Sequence, residues 1–524
     1  MFGRAVSNDL PEGVVVGKEQ ISRYNILIVL IMAMGALGIS MPSGIISTTL
    51  GQPAFLLYFN LLTATGIKAN LVAAMNAVFY TGGVFGLVMS SMLIDRLGRK
   101  NSLRIGATVT IIAQALLAGS VNVGMFIVFR FFSGFGSSLM LGSVPLLISE
   151  VSPPHSRGFL VGFFGIAIST GYSLASWLAV AFYFCHNSAV QWRLPLAVTG
   201  VPALFLLMFL PWVPESPRWL MIKGQTEEAA RIVRRLHGSD QDPRMEEFAN
   251  LEINQMREQI IFEQQNHVGW VEFLTSRKYA RRAWVAAFTF MTSQSAGILA
   301  IVTYSATISG SIGYGPVAQL CFSAGYLSVG MVAALFGALM IDRVGRVRLL
   351  VIGTIGQMVV LSIFTALVAT YVGKDNVSAN RAAIALIFIY FFIYGACMES
   401  TVYTYVSELF PSHVRAKGVS WGIMFLYLTD IPFVTGSIYA FGTIGWRFYL
   451  VFIVTPAAML IVLISLAKET KGKSLEEIGA IFGDHLVVRT LDEQIEEEKM
   501  GKVTEAAAQT YRHEETRATE VEEA

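Results

Sequence analysis

The chain has 524 residues, of which 54% are hydrophobic and 14% charged, against roughly 25% charged in an ordinary soluble domain. That composition calls for an apolar solvent, and a formal net charge of +2 supplies no basic field of the kind that draws nucleic acid. Cys185, Cys321 and Cys397 stand far apart, which argues against a disulfide scaffold and against a clustered metal site.

Residues 1–24 are polar and of mixed charge, without the short apolar core and small-residue cleavage site of a signal peptide, and are expected to be retained as a cytoplasmic N-terminus. Twelve apolar runs with at most one charge each follow, near 25–47, 70–94, 103–122, 124–148, 158–184, 194–213, 283–308, 317–341, 349–372, 382–407, 418–440 and 447–467. Each is long enough to cross a bilayer as a helix. Each is also too long and too uniformly apolar for the alternating strands of an outer-membrane barrel. The expected fold is an all-α membrane protein of twelve transmembrane helices in two six-helix bundles, residues 25–213 and 282–467. A charged cytoplasmic linker, 214–281, joins the bundles, and its Thr226–Leu236 stretch reads as a short solvated helix. A polar, acid-rich cytoplasmic tail, 468–524, closes the chain.

Basic residues set the orientation. The connections after spans two, four, eight and ten carry Arg96, Arg99, Lys100, Arg104, Arg157, Arg343, Arg346, Arg348, Arg415 and Lys417. The opposite connections carry Lys68, Arg193, Lys374, Arg381 and Arg447. The positive-inside rule therefore places the first set and both chain ends in the cytoplasm. It puts the Asn376-Val377-Ser378 sequon outside, where Asn376 is a glycosylation candidate.

The halves repeat one another. Asp95-Arg96-Leu97-Gly98-Arg99 returns as Asp342-Arg343-Val344-Gly345-Arg346, and Glu150 through Arg157 returns as Glu408 through Arg415, at offsets of 247 and 258 residues. Ordered motifs at matching places in two halves indicate duplication, the arrangement of alternating-access carriers. The opposite charges among Asp95, Arg96, Arg99, Glu150, Arg157, Asp342, Arg343, Arg346, Glu408 and Arg415 are expected to form ion pairs between the halves that gate the cytoplasmic mouth. The bland reading is that they anchor helix ends.

With Pro214-Glu215-Ser216-Pro217-Arg218-Trp219-Leu220 and Glu469-Thr470-Lys471-Gly472-Lys473 added to the repeated motifs, the sequence resembles the sugar porter family of the major facilitator superfamily, most of all its fungal branch. The resemblance implies a central site held by amides on spans five and seven. At the matching positions this chain has Gly165 for a usual glutamine, Ser293 and Leu299 for amides, and Tyr403 for a tryptophan, while Gln294, Gly297 and Tyr304 remain. The expected site is thus less polar than a hexose site, because a buried hydroxyl left unpaired costs about 1–3 kcal/mol. The span-one aspartate of proton-driven members is absent between Gly35 and Gly44. Arg130, on a family motif with Gly134 and Gly136, is expected to pair with an acid near the cytoplasmic side. Glu399 and Asp430 are acids inside otherwise uncharged spans, and intramembrane acids are functional candidates. One of them is expected to face the cavity or to carry a coupled proton, the bland reading being a structural contact.

The expected function is alternating-access transport of a sugar, polyol or related small organic solute, with a nonsugar organic acid or specialised metabolite carrier and a non-transporting nutrient sensor as alternatives. The solute contacts, in falling order, are Gln294, Ser293, Tyr304, Tyr403, Glu399 and Asn76. No phosphate loop, zinc-spaced histidine pair or nucleophile elbow occurs, so neither an enzyme nor a cofactor is expected. The expected partners are the solute, the lipid bilayer and candidate protons. A monomer in the plasma membrane is the family default.

Overall fold

A computed structural model describes residues 23–471 apart from 64–65, 153–156, 238–245, 247–248, 251–252, 255, 259, 262–267 and 372–375, together with Ile478 and Phe482. Twelve of its helices are long and apolar enough to cross a membrane. They are α1 (Tyr24–Leu50), α2 (Ala69–Leu97), α3 (Arg99–Ala118), α4 (Val123–Val151), α5 (Phe163–Tyr183) and α6 (Ser188–Trp212) in the first half. The second half holds α7 (Arg277–Thr303), α8 (Pro316–Val344), α9 (Arg346–Tyr371), α10 (Val377–Glu408), α11 (Val414–Thr443) and α12 (Gly445–Leu466). One short antiparallel ladder, Leu62–Thr63 with Gly66–Ile67, lies in the connection between α1 and α2. Among the described residues it is the one strand pairing.

Glycines let the helices approach closely. Gly82 on α2 and Gly134 on α4 lie where an added Cβ would strike the carbonyls of Phe131 and Phe79 respectively, so each helix docks directly on the backbone of the other. Gly337 and Gly395 do the same between α8 and α10.

Two helices are interrupted at mid-depth. α7 breaks at Gly297, whose φ of +81° is available to glycine at little cost and whose missing Cβ leaves room for the Phe452 ring. The backbone groups freed at this break cannot turn to lipid. Tyr390 Oη accordingly donates to the Ala296 carbonyl at 2.8 Å, and Thr455 Oγ1 donates to the Ser295 carbonyl at 3.0 Å. α10 contains a π-turn, Gly395–Glu399, a local widening that recurs at functional sites.

The linker helix Thr226–His237 packs Ala229 with Leu220, Met221 and Ile260 in a small apolar cluster. It meets the start of α1, where the Asn25 amide donates to the Leu236 carbonyl at 3.4 Å and the Arg235 guanidinium lies 4.3 Å from the Tyr24 ring centre. The far end of the linker reaches the second half, with Lys417 Nζ donating to the Val268 carbonyl.

Candidate functional site

Between the halves lies a cavity of about 110 Å³. The first half contributes Ser40, Ser43, Tyr80, Ser169 and Tyr172, and the second contributes Gln294, Tyr394, Glu399, Tyr403 and Tyr427. Apolar side chains, among them Ile39, Phe79, Leu299 and Phe391, fill the remaining wall. The interruptions in α7 and α10 position the second-half groups, since Gln294 stands three residues before Gly297 and Glu399 ends the π-turn.

Gln294 Nε2 donates to Ser293 Oγ at 3.2 Å and to Tyr394 Oη at 3.4 Å, whereas its Oε1 has no protein partner. The Glu399 carboxylate lies within hydrogen-bonding reach of the Ser169 hydroxyl. Tyr172 Oη donates to Ser43 Oγ, and Ser138 Oγ donates to Tyr427 Oη, both at 3.2 Å. One turn below Ser169, Gly165 leaves the α5 surface bare towards α10, an added Cβ lying 3.4 Å from Ser400 Oγ.

Of the six residues expected to touch solute, Gln294, Tyr403 and Glu399 line this cavity; Ser293, Tyr304 and Asn76 do not. Ser293 Oγ turns back to the Phe290 carbonyl at 2.9 Å. Tyr304 Oη donates to the Val434 carbonyl at 3.0 Å and accepts from Asn76 Nδ2 at 3.3 Å, which makes this pair a tie between the halves. Asp430 is buried outside the lining, and its Oδ2 has no partner. Arg130 differs from its expectation. It donates to the Pro42 carbonyl at 2.6 Å and lies 4.3 Å from the centre of the Phe79 ring, because it belongs to the first third of α4, at the end away from Glu150 and the other acidic helix ends. Apart from Tyr403, the serines and tyrosines of the lining carried no motif; the one sequence signal for them is a polar residue within an apolar run.

The charged motifs gather on one face, here the motif face. Arg99 and Glu150 form a two-pronged pair with both contacts at 2.8 Å. Arg346 bonds Glu408 and Asp342, each at 2.9 Å. These ion pairs stay within each half rather than crossing between halves, since Arg99 and Arg346 open helices packed beside the helix ends that carry Glu150 and Glu408. Asp95, Arg96 and Arg343 are exposed. Arg415 Nε donates to the Phe410 carbonyl at 3.3 Å. The side chain of Arg157 lies outside the described residues.

The two longer signatures act as helix caps. Glu215 accepts the backbone N–H groups of Arg99 and Lys100 at the start of α3, and Glu469 accepts those of Arg346, Val347 and Arg348 at the start of α9. Each carboxylate satisfies orphan donors at the positive end of a helix. Gly98 and Gly345, with φ of +91° and +109°, let the carboxylates approach, since an added Cβ would come 2.5 Å from Glu215 and 2.9 Å from Glu469. Burial raises the Glu215 carboxyl above the ordinary range, opposed by its backbone N–H donors and by Arg99.

On the opposite face and at mid-depth, side-chain hydrogen bonds join the halves. Ser47 meets Ser305 at 3.4 Å, Ser173 meets Ser328 at 2.7 Å, and Tyr439 Oη donates to Asn70 Oδ1 at 2.9 Å. Asn376 Oδ1 caps the start of α10 by accepting the Ala379 N–H at 3.1 Å.

The model of a family described as "Sugar (and other) transporter" matches residues 28–482. The chain belongs to this family. A relative in Aspergillus cristatus, MFS-type transporter criB, is 30% identical over 456 residues, covering 86% of this chain and 92% of that protein. Sugar transporter STL1 of Saccharomyces cerevisiae is 30% identical, covering 79% and 73%. The high-affinity glucose transporter of Kluyveromyces lactis is 27% identical, covering 88% and 86%. Among solved structures, the inward-open xylose transporter XylE from E. coli superposes with a TM-score of 0.71 at 21% identity, covering 87% of this chain and all of that one. This sugar (and other) transporter family member is a multi-pass membrane protein of the major facilitator fold. It is a transporter, and not an enzyme.

Proposed function

We propose that the solute binds in the cavity between the halves, with Gln294, Glu399 and Tyr403 as contacts from the second half. The observation that carries the reading is the convergence of these three, from two interrupted helices, on one cavity shared by both halves. Relatives named as sugar and glucose transporters support a hydroxylated solute. Leu299, with Ile39, Phe79 and Phe391 in the lining, favours a solute that presents an apolar face as well.

The motif face is cytoplasmic in this reading, by its excess of Arg and Lys, and the chain works as a monomer in the plasma membrane. The ties Ser47–Ser305, Asn70–Tyr439 and Asn76–Tyr304 are the outer gate. The motif-face charges brace each half as a rigid unit and rearrange as the halves rock. Asp430, buried without a partner for Oδ2, carries the coupled proton.

Uptake of radiolabelled hexoses and polyols in a host lacking hexose transport tests the solute class. Sugar flux supports it, flux of nonsugar acids alone replaces it, and binding without flux turns it into a sensor. For coupling, Asp430→Asn is expected to abolish the cytosolic acidification that follows solute addition while sparing solute exchange; wild-type acidification in the variant would reject that role.

A further inference from the structure

The cavity holds hydroxyl donors and acceptors of both kinds, but one acid and no base. Gln294 Oε1 has no partner in the protein, and its Nε2 is already engaged with Ser293 and Tyr394. The Glu399 carboxylate, with Ser169 beside it, has lone pairs left for a solute. A planar carboxylate accepts about four hydrogen bonds. Among the described residues that line the cavity, none is lysine, arginine or histidine. Arg130 sits behind Phe79, its charge directed to the Pro42 carbonyl and the ring face.

The rings of Tyr80, Tyr172, Tyr394, Tyr403 and Tyr427 surround the same space. Tyr172 donates to Ser43, whereas Tyr394 accepts from Gln294 and Tyr427 from Ser138, which leaves both of the latter hydroxyls able to donate to solute oxygens. Tyr80 and Tyr427 approach to 5.9 Å between ring centres. A carboxylate set among aromatic rings is the chemistry that recognises an ammonium group, by ion pairing and by attraction to the ring quadrupole. A neutral hydroxyl would satisfy the acceptors but leave the acid without a counter-charge inside the bilayer. An anion would meet repulsion in a low dielectric.

Resting on the transporter reading above, we infer that the solute carries a protonated amine as well as hydroxyl groups, an amino sugar or amino polyol in class, and that Glu399 reads its charge. The Glu399 carboxylate pairs with the ammonium, Gln294 Oε1 accepts from a hydroxyl or a second ammonium hydrogen, and the tyrosine rings cover the remaining faces. Acid sugars are excluded by the same field.

The purified full-length protein in liposomes gives the test, by counterflow of labelled D-glucosamine, D-glucose and D-glucuronate at neutral pH. The wild type is expected to half-saturate with glucosamine at a concentration at least about tenfold below that for glucose, a charge-assisted contact of about 1.4 kcal/mol, and to take glucuronate worst. Glu399→Gln is expected to shrink the glucosamine-to-glucose ratio by about tenfold, measured within one preparation. Should that variant fail to insert, the wild-type order alone decides. Glucose favoured over glucosamine by the wild type, or an unchanged ratio in Glu399→Gln, overturns the amine assignment and leaves the transporter reading standing. Flux of none of the three through correctly inserted protein overturns both.

Discussion

At the motif face the two halves are near copies. Arg99 and Glu150 are mirrored by Arg346 and Glu408, and the caps Glu215 and Glu469 sit on equivalent glycine turns. At mid-depth they part company, because α1 and α4 run through as single helices whereas α7 breaks at Gly297 and α10 widens at Gly395–Glu399. The difference separates two demands. Charges at helix ends must be neutralised in the same way in both halves, so the duplicated motif persists there. Solute needs an asymmetric wall, and the irregular backbone that lines a cavity supplies one.

The largest expected effect breaks the copied region. Arg99→Ala leaves Glu150 unpaired in a site where the two side chains are 7% and 9% exposed, and is expected to cost about 3–5 kcal/mol, read as a large drop in the melting temperature of detergent-solubilised protein. Gly297→Ala breaks the divergent region. Left-handed strain and the Phe452 ring together cost about 3 kcal/mol, and the same melting assay is expected to leave Gly224→Ala, also at positive φ but with nothing near its Cβ, much less affected. Arg346→Ala sharpens the comparison between halves. Its partners Glu408 and Asp342 are 21% and 78% exposed, so water replaces part of the lost contact and the expected cost is about 1–3 kcal/mol, smaller than for Arg99. An equal effect at both positions would remove the distinction. Tyr304→Phe is the mildest, losing one hydrogen bond to Val434 and one from Asn76. It is expected to cost about 1 kcal/mol and to raise thiol labelling of a cysteine placed at Ser47, since the tie between the halves is loosened.

Much of the fold was legible because each span declares itself by length and composition, and because Gly98 and Gly345 recur with their charged neighbours. The partners of those charges were not legible. Arg99 could have met any acid on its face, and the choice of Glu150, within the same half, follows from how α3 packs on α4. In the site, Gln294, Tyr403 and Glu399 stood out as motif or charge anomalies. Ser40, Ser43, Ser169, Tyr172, Tyr394 and Tyr427 did not, since serine and tyrosine also occur in spans as local hydrogen-bonders and interface residues. Tyr304 and Asn76 were polar for a different purpose, a bond between the halves.

The amino-acid sequence alone determined that this protein spans a membrane twelve times, in two related halves, with its basic residues gathered on one side, because transfer of apolar residues into lipid and the cost of moving charge through it act on each segment separately. Which face of each helix turns inward was decided by tertiary structure. In a bilayer both faces of a span are apolar, so no periodicity marks the inner one, and the contacts of α7 and α10 with their neighbours bring Gln294 and Glu399 to one cavity.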